Sequence, residues 1–510
     1  MLHASLHVDT TPIAPVHRRT FGSFVEHMGR CVHTGIYEPD HPTADPHGFR
    51  GDVAALVREL GVTTVRYPGG NFVSGYRWED GVGPREQRPV RRDLAWHSIE
   101  TNRFGLDEFM TWCRSLDIEP MMALNLGTRG LAEALDLLEY CNHPSGTHLS
   151  DRRVANGHPR PHDIRMWCLG NEMDGSWQIG HLDARSYGRK AARVARAMKM
   201  ADRDLELVVC GSSGSSMPTF GAWESTVLEE TYDAVDHISL HAYYEEHDGD
   251  LGSFLAEATD MDRFIDAVAA TADAVGARLR RPERLSLSFD EWNVWYQSRH
   301  RAEAAARPTD DWRIAPRVIE DRYTVADAVV VGNLLISLLR HSDRVTAACQ
   351  AQLANVIAPI MTEPGGPAWR QSIFHPFALT ARAARGHVLR TELRAPTHPT
   401  ERHGTVPTPD AALTHDERDG ATSLFVVNRS TDTHLTLDAD LRALAADTVT
   451  DARTLTDTDP YAVNTMDAPD RVVPRPAQDV RLEDGRLTAV LPPVSWTVIS
   501  LAPGQDRPTP

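Results

Sequence analysis

Short apolar runs alternate with amphipathic helical stretches from about residue 20 to about residue 370, the pattern of a parallel sheet wound with helices. Candidate strands end near Glu26, Tyr67, Asn125, Glu172, Cys210, Tyr243, Glu291 and Gln352. Eight such strands favour a closed (β/α)8 barrel over an open doubly wound sheet. Between them, Asp183 is placed to cap a helix whose Tyr187, Ala191, Val194 and Met198 share one face. Comparable stripes run through 53–60, 106–116, 131–140, 261–275 and 325–339, with no internal proline. Each stripe is expected to pack on the barrel exterior.

After about residue 373 the period changes from helical to alternating, as in Ser423-Leu424-Phe425-Val426-Val427 and Leu487-Thr488-Ala489-Val490-Leu491. The fold class predicted is therefore α/β, a (β/α)8 barrel over 15–372 with a C-terminal antiparallel β-sandwich over 373–503. Ala4 to Val8 also alternate, so a strand from 1–14 is expected to join the sandwich. The Pro-, Thr- and His-rich stretch 395–409 reads as a surface loop, and 504–510 as a frayed tail.

A length of 510 residues accommodates both units and a large core without disulfides or metals. The formal charge of −18 argues against nucleic acid or an anionic membrane as partner, since both demand basic surface. The six cysteines are scattered without disulfide-like spacing, no signal peptide pattern opens the chain and no apolar run reaches membrane-spanning length. A reduced, cytoplasmic protein is expected. Asn428-Arg429-Ser430 matches a glycosylation sequon that such a location would leave unused.

In a barrel the C-terminal ends of the strands converge on one face, where active sites sit. The polar residues at those ends include Glu26, His27, Arg66, Asn71, Asn125, Asn171, Glu172, His241, Tyr243, Glu291 and Gln352. No cluster at metal-ligand spacing stands out among them, so neither metal nor cofactor is expected. Two glutamates among amides and aromatics suit glycoside cleavage, one carboxylic acid protonating the leaving oxygen while the other, ionised, attacks or activates water. Trp96, Trp177, Trp292 and Trp295 are candidate sugar platforms, each with an alternative reading as core or rim. Glu26 has a second reading as an ion-pair partner of Arg66; His241 and Cys168 read as supporting and packing residues. Strict alternation would turn Asn171 away from Glu172, so an irregularity at Gly170 to Asn171 is predicted.

Five segments carry a resemblance. Gly22-Ser23-Phe24-Val25-Glu26-His27, Arg66-Tyr67-Pro68-Gly69-Gly70-Asn71, Trp167 to Gly175, Phe289-Asp290-Glu291-Trp292-Asn293 and Ala351-Gln352-Leu353-Ala354-Asn355-Val356-Ile357 resemble the signature segments of glycoside hydrolase family 51, the retaining α-L-arabinofuranosidases. The resemblance implies Glu172 as general acid/base and Glu291 as nucleophile. It also implies Asn171 on the sugar 2-hydroxyl, Glu26 and Asn71 on other ring hydroxyls, Tyr243 beside the nucleophile, and Trp96, Trp295 and Gln352 lining the pocket. The implied partners are arabinofuranoside-containing oligosaccharides and further copies of the chain, up to a hexamer. An endo-β-glucanase or xylosidase of the same clan would use the same two glutamates in an open cleft. A non-catalytic carbohydrate-binding barrel would keep the fold without turnover. The segment from Gln297 to Arg317 is expected to help close an exo-acting pocket.

Overall fold

Eight parallel strands close in chain order into a barrel in the computed structural model, which describes residues 1–306, 308–444 and 446–503. They are Gly22–Phe24, Thr64–Tyr67, Glu119–Ala123, Met166–Cys168, Glu206–Val209, His237–Tyr244, Ser286–Val294 and Val345–Gln350, called barrel strands one to eight. Strand eight pairs with strand one, Cys349 against Gly22, and this seam abolishes any sheet edge. The strands are short and buried on both faces, strand four being Met166, Trp167 and Cys168 with none of them exposed.

The helices follow the apolar stripes. Asp183 caps the helix Ala184–Ala201 by accepting from the Arg185 and Ser186 N–H groups at 3.1 and 3.0 Å, and Tyr187, Ala191, Val194 and Met198 are all buried. The helix Val325–Arg340 departs from the expected single stripe, because every residue from Val325 to Leu339 is buried. It lies between the barrel and the C-terminal sheet, and a helix covered on both sides is apolar all round. A further helix, Phe374–Ala383, packs on Val325–Arg340 and on Gly51–Leu60, so the helical ring continues past residue 373 before the first C-terminal strand begins at His387.

Ten strands form the C-terminal sheet. The N-terminal strand Leu2–Pro15 lies inside it, antiparallel to His387–Arg394 and parallel to Leu435–Asp440. Its alternation has a direct physical reading. Ala4, Leu6 and Val8 enter a core of their own with Leu424, Val426 and Ile499, whereas the alternate residues Phe425, Val427, Trp496 and Val498 join the barrel's core. Asn428 is fully buried and its amide donates to the carbonyls of Thr433, Leu491 and Pro492, so the sequon is a structural asparagine. The six cysteines are buried and unpaired.

The stretch 395–409 is not the irregular loop expected from its composition. Thr397–Thr400 and Gly404–Pro407 pair as an antiparallel hairpin. Its tip is tied to the barrel: the Arg402 N–H donates to Ser253 Oγ at 3.2 Å and Arg263 donates to the His403 carbonyl at 3.4 Å. Proline and threonine are compatible with a short edge hairpin, so composition alone does not separate the two readings. The tail 504–510 lies outside the described residues.

The joint between barrel and sheet rests on a close approach of Gly332 to Trp496, where an added Cβ would stand 2.2 Å from the ring. Gly332→Ala is expected to destabilise the protein by about 1–3 kcal/mol through overpacking, read as a lower midpoint in thermal or denaturant unfolding.

Candidate active site

A cavity of about 780 Å³ opens at the C-terminal ends of the strands, within the size range of ligand sites. Strand four stops at Cys168, and the chain then turns through positive φ at Gly170 (104°) and Glu172 (44°). The predicted irregularity is thus a turn after the strand, not a bulge within it. It brings two neighbouring side chains to one region: Glu172 lines the cavity, and Asn171 donates to Asn71, which also lines it, at 3.4 Å. Glu291 arrives differently, on strand seven, whose register slips against strand six between Ser288 and Glu291.

The two carboxyl groups meet around His241. One oxygen of Glu172, one of Glu291 and His241 Nδ1 all lie within 4.8 Å of one another. His241 Nδ1 is 2.9 Å from Glu172 Oε1 and 3.7 Å from Glu291 Oε2. Burial disfavours a charged His241, but the Glu291 and Glu172 carboxylates outweigh it and raise its pKa above the usual value. Trp177 Nε1 donates to Glu172 Oε2 at 2.8 Å.

Glu291 is held by two donors. Arg66 Nη1 reaches its Oε1 at 2.7 Å, and the Tyr243 hydroxyl donates to its Oε2 at 2.6 Å. Burial raises the Glu291 carboxyl, yet His241, Arg66 and the Tyr243 hydroxyl together prevail and leave it below the usual carboxylate range. The second Arg66 nitrogen donates to Asn171 Oδ1 at 2.7 Å, so one guanidinium ties strands two, four and seven together. His241 and Tyr243, two residues apart on strand six, share the face that points at both glutamates.

Glu26 forms the opposite wall. Its Oε1 accepts from the Phe72 N–H at 2.9 Å and Trp96 Nε1 at 2.8 Å, and its Oε2 accepts from Gln352 Nε2 at 3.0 Å. Burial, opposed by the Phe72 N–H and reinforced by Glu291, pushes the Glu26 carboxyl up to about 8. The Gly69-Gly70 pair makes room for it, since a Cβ on Gly69 would lie 2.7 Å from Glu26 Cγ. Asp93 accepts from the Ala95 and Trp96 N–H groups, both at 3.0 Å, and so shapes the turn that presents Trp96. Trp295 packs edge-on to Tyr243 with ring centres 4.9 Å apart. Trp295 Nε1 and Gln352 Oε1 are buried with no hydrogen-bond partner among the described residues.

The structure thus places Glu26, Asn71, Trp96, Glu172, Tyr243, Glu291, Trp295 and Gln352 around one cavity, with Asn171 bonded into its wall. Arg66 pairs with Glu291 and not with Glu26, so the ion-pair reading of Glu26 is set aside. Trp292 is fully buried and belongs to the core, while Trp177 is 52% exposed at the cavity. Asn125 serves a turn by bonding Tyr76 O and Thr128.

Tertiary contacts also gather titratable side chains into groups that local spacing along the chain does not display. Besides the Glu172, His241, Glu291 group, the fold gathers His27, His33 and Glu100, and Asp107, His158 and His162. His158 and His162 stand four residues apart, but Asp107 and Glu100 join their sets only through the fold. The first set is knit by hydrogen bonds of His27 and His33 to Glu100, and the second by those of His162 and Tyr140 to Asp107. Arg402, Ser215 and Asp260, none singled out by the sequence, also line the cavity.

Comparison with known proteins places the chain in a family. The α-L-arabinofuranosidase 1 domain matches residues 56–264, and the α-L-arabinofuranosidase C-terminal domain matches 290–495. An intracellular exo-α-(1→5)-L-arabinofuranosidase of Streptomyces lividans is 59% identical over 97% of this chain and 75% of its own. An exo-α-(1→6)-L-arabinofuranosidase of Bifidobacterium longum is 55% identical over 96% of this chain and 95% of its own. Among solved structures, AbfB, a family 51 α-L-arabinofuranosidase from Bifidobacterium longum, superposes with a TM-score of 0.94 at 50% identity, covering 98% of this chain and 99% of that one. A xyloglucanase of family 44 from Paenibacillus polymyxa shares only the fold, at 12% identity and a TM-score of 0.57 over 99% of this chain and 100% of its own. With relatives this similar over nearly its whole length, the chain belongs to the glycoside hydrolase family 51 α-L-arabinofuranosidases.

Proposed function

We propose that this enzyme is an exo-acting α-L-arabinofuranosidase that releases terminal non-reducing arabinofuranose by double displacement, with net retention. The observation that carries the reading is that one oxygen of Glu172 and one of Glu291 lie within 4.8 Å of each other, a closest approach that favours the shorter of the two separations known for glycosidase pairs. Retaining glycosidases place the pair roughly 5–5.5 Å apart, whereas inverting ones need about 6.5–9.5 Å to admit a water. Glu291, ionised and oriented by Arg66 and Tyr243, attacks the anomeric carbon while Glu172 passes a proton to the departing oxygen. Water deprotonated by Glu172 then releases the sugar. Glu26, Asn71, Asn171 and Gln352 hold the ring hydroxyls, and Trp96 and Trp295 flank the ring.

Exo action is supported by the similarity to relatives named as exo-acting arabinofuranosidases. The helix Gln297–Ala306 contributes Gln297, His300 and Arg301 to the cavity wall, which supports the reading of an exo-acting pocket. That favours arabinofuranosidase over an endo-acting glucanase. Arabinan, arabinoxylan and their oligosaccharides are the proposed substrates. Several relatives are named intracellular, which supports a cytoplasmic location, and no helix among the described residues is long and apolar enough to cross a membrane. Self-association, up to a hexamer, is proposed alongside.

Glu291→Ala is expected to lower kcat on an aryl α-L-arabinofuranoside by about 10⁴-fold or more. Added azide should restore turnover and yield the glycosyl azide of inverted configuration. Near-normal turnover without azide would contradict the assignment.

The pH dependence offers a separate check. Because the Tyr243 hydroxyl is one of the groups lowering the Glu291 carboxyl, Tyr243→Phe is expected to raise the pKa of Glu291 in the free enzyme. The acid limb of kcat/KM, below which the nucleophile is protonated, then moves to higher pH.

Arg66→Met removes the buried arginine partner of Glu291, so it is expected to cost about 3 kcal/mol of stability in denaturant unfolding as well as activity.

A further inference from the structure

The cavity of about 780 Å³ is larger than one pentose requires. Besides Glu26, Asn71, Trp96, Tyr243, Trp295, Gln352 and the glutamate pair, Ser213, Ser215, His247, Glu257, Asp260 and Arg402 line it. Of these, Arg402 alone comes from the C-terminal domain, at the tip of the Thr397–Thr400 and Gly404–Pro407 hairpin.

Its placement is specified from two sides. Arg402 Nη1 pairs with Glu257 Oε1 at 2.6 Å, and Glu257 is only 2% exposed. The backbone N–H of Arg402 donates to Ser253 Oγ, and His403 Nε2 stands 3.4 Å from the second oxygen of Glu257. The buried carboxylate thus fixes one edge of the guanidinium. Nε and Nη2 make no hydrogen bond among the described residues, and the side chain remains 44% exposed. A planar fork with unused donors, held rigid at the edge of a sugar-sized space, suits hydroxyl and ring oxygens of a bound saccharide. A purely structural interdomain pair would not need to sit on the cavity wall.

We propose that Arg402 is a specificity-determining residue that binds the second sugar of an oligosaccharide, so that the C-terminal domain completes the leaving-group side of the pocket. The inference rests on the arabinofuranosidase reading. Glu257 acts through Arg402 and is a positioning residue.

The test compares the parent enzyme with Arg402→Ala and Arg402→Lys on two substrates, α-1,5-linked arabinotriose and p-nitrophenyl α-L-arabinofuranoside, with unfolding midpoints measured for each protein. For Arg402→Ala, kcat/KM on the triose is expected to fall about tenfold, mainly through KM, while the aryl glycoside loses no more than about threefold. Arg402→Lys keeps the charge beside Glu257 but loses the fork, and its triose kcat/KM should fall between the other two. Equal losses on both substrates, or no loss on either, overturn the inference. A lower unfolding midpoint with an unchanged ratio of the two kcat/KM values would make Arg402 a structural tie only, which also overturns it. If the parent fails to cleave even the aryl glycoside, the arabinofuranosidase reading itself falls and takes this inference with it.

Discussion

The site depends on one buried arginine. Arg66 is inaccessible to solvent, and its guanidinium contacts Glu291, Asn171 and Asp290 while stacking 5.0 Å over Phe24. Removing a charge from water costs several kcal/mol, and here the cost is offset by Glu291 and Asn171, which accept from the two terminal nitrogens, and by the Asp290 carboxylate 3.7 Å from Nε, which itself makes no hydrogen bond among the described residues. That demand constrains the barrel. Strands two, four and seven must deliver their residues to one point, or both Arg66 and Glu291 are left as uncompensated charges. The same contact that stabilises the barrel interior keeps Glu291 ionised and aimed, so stability and chemistry draw on one interaction.

The second constraint is the shared core. Alternate residues of the strand Ala421–Asn428 bury into the sheet's own interior and into the barrel's core, and the helix Val325–Arg340 is covered on both sides. An interface of that kind does not behave as a flexible linker between independent domains. It gives the hairpin carrying Arg402 a fixed position over the loop that follows strand six, which is the physical reason a residue so distant in sequence can share a pocket with Glu172.

Much of this was legible in the sequence, and the limits have physical causes. The eight strands and the principal helices follow from local periodicity, which a single chain displays directly. Glu172 and Glu291 stand at strand ends within distinctive segments, and barrel geometry brings such ends together. What stayed hidden depends on contacts across the fold. Arg66 was visible as a polar strand end, but its partner lies 225 residues away, and Glu26 stood as an alternative partner. The turn at Gly170 could be inferred from parity, whereas the register slip before Glu291 left no mark in the apolar pattern. The 397–407 hairpin has the composition of a loop because its stability comes from the barrel it touches. The continuous burial of Val325–Arg340 appears in the sequence as an apolar helix, but which two surfaces cover it does not.

The central claim is that the carboxyl pair runs a double displacement, and the configuration of the first product tests it most directly. Proton NMR of the hydrolysis of an aryl α-L-arabinofuranoside, recorded before mutarotation, should show α-L-arabinofuranose as the initial product. An initial β anomer would mean a single displacement by water and would contradict the roles given to Glu172 and Glu291.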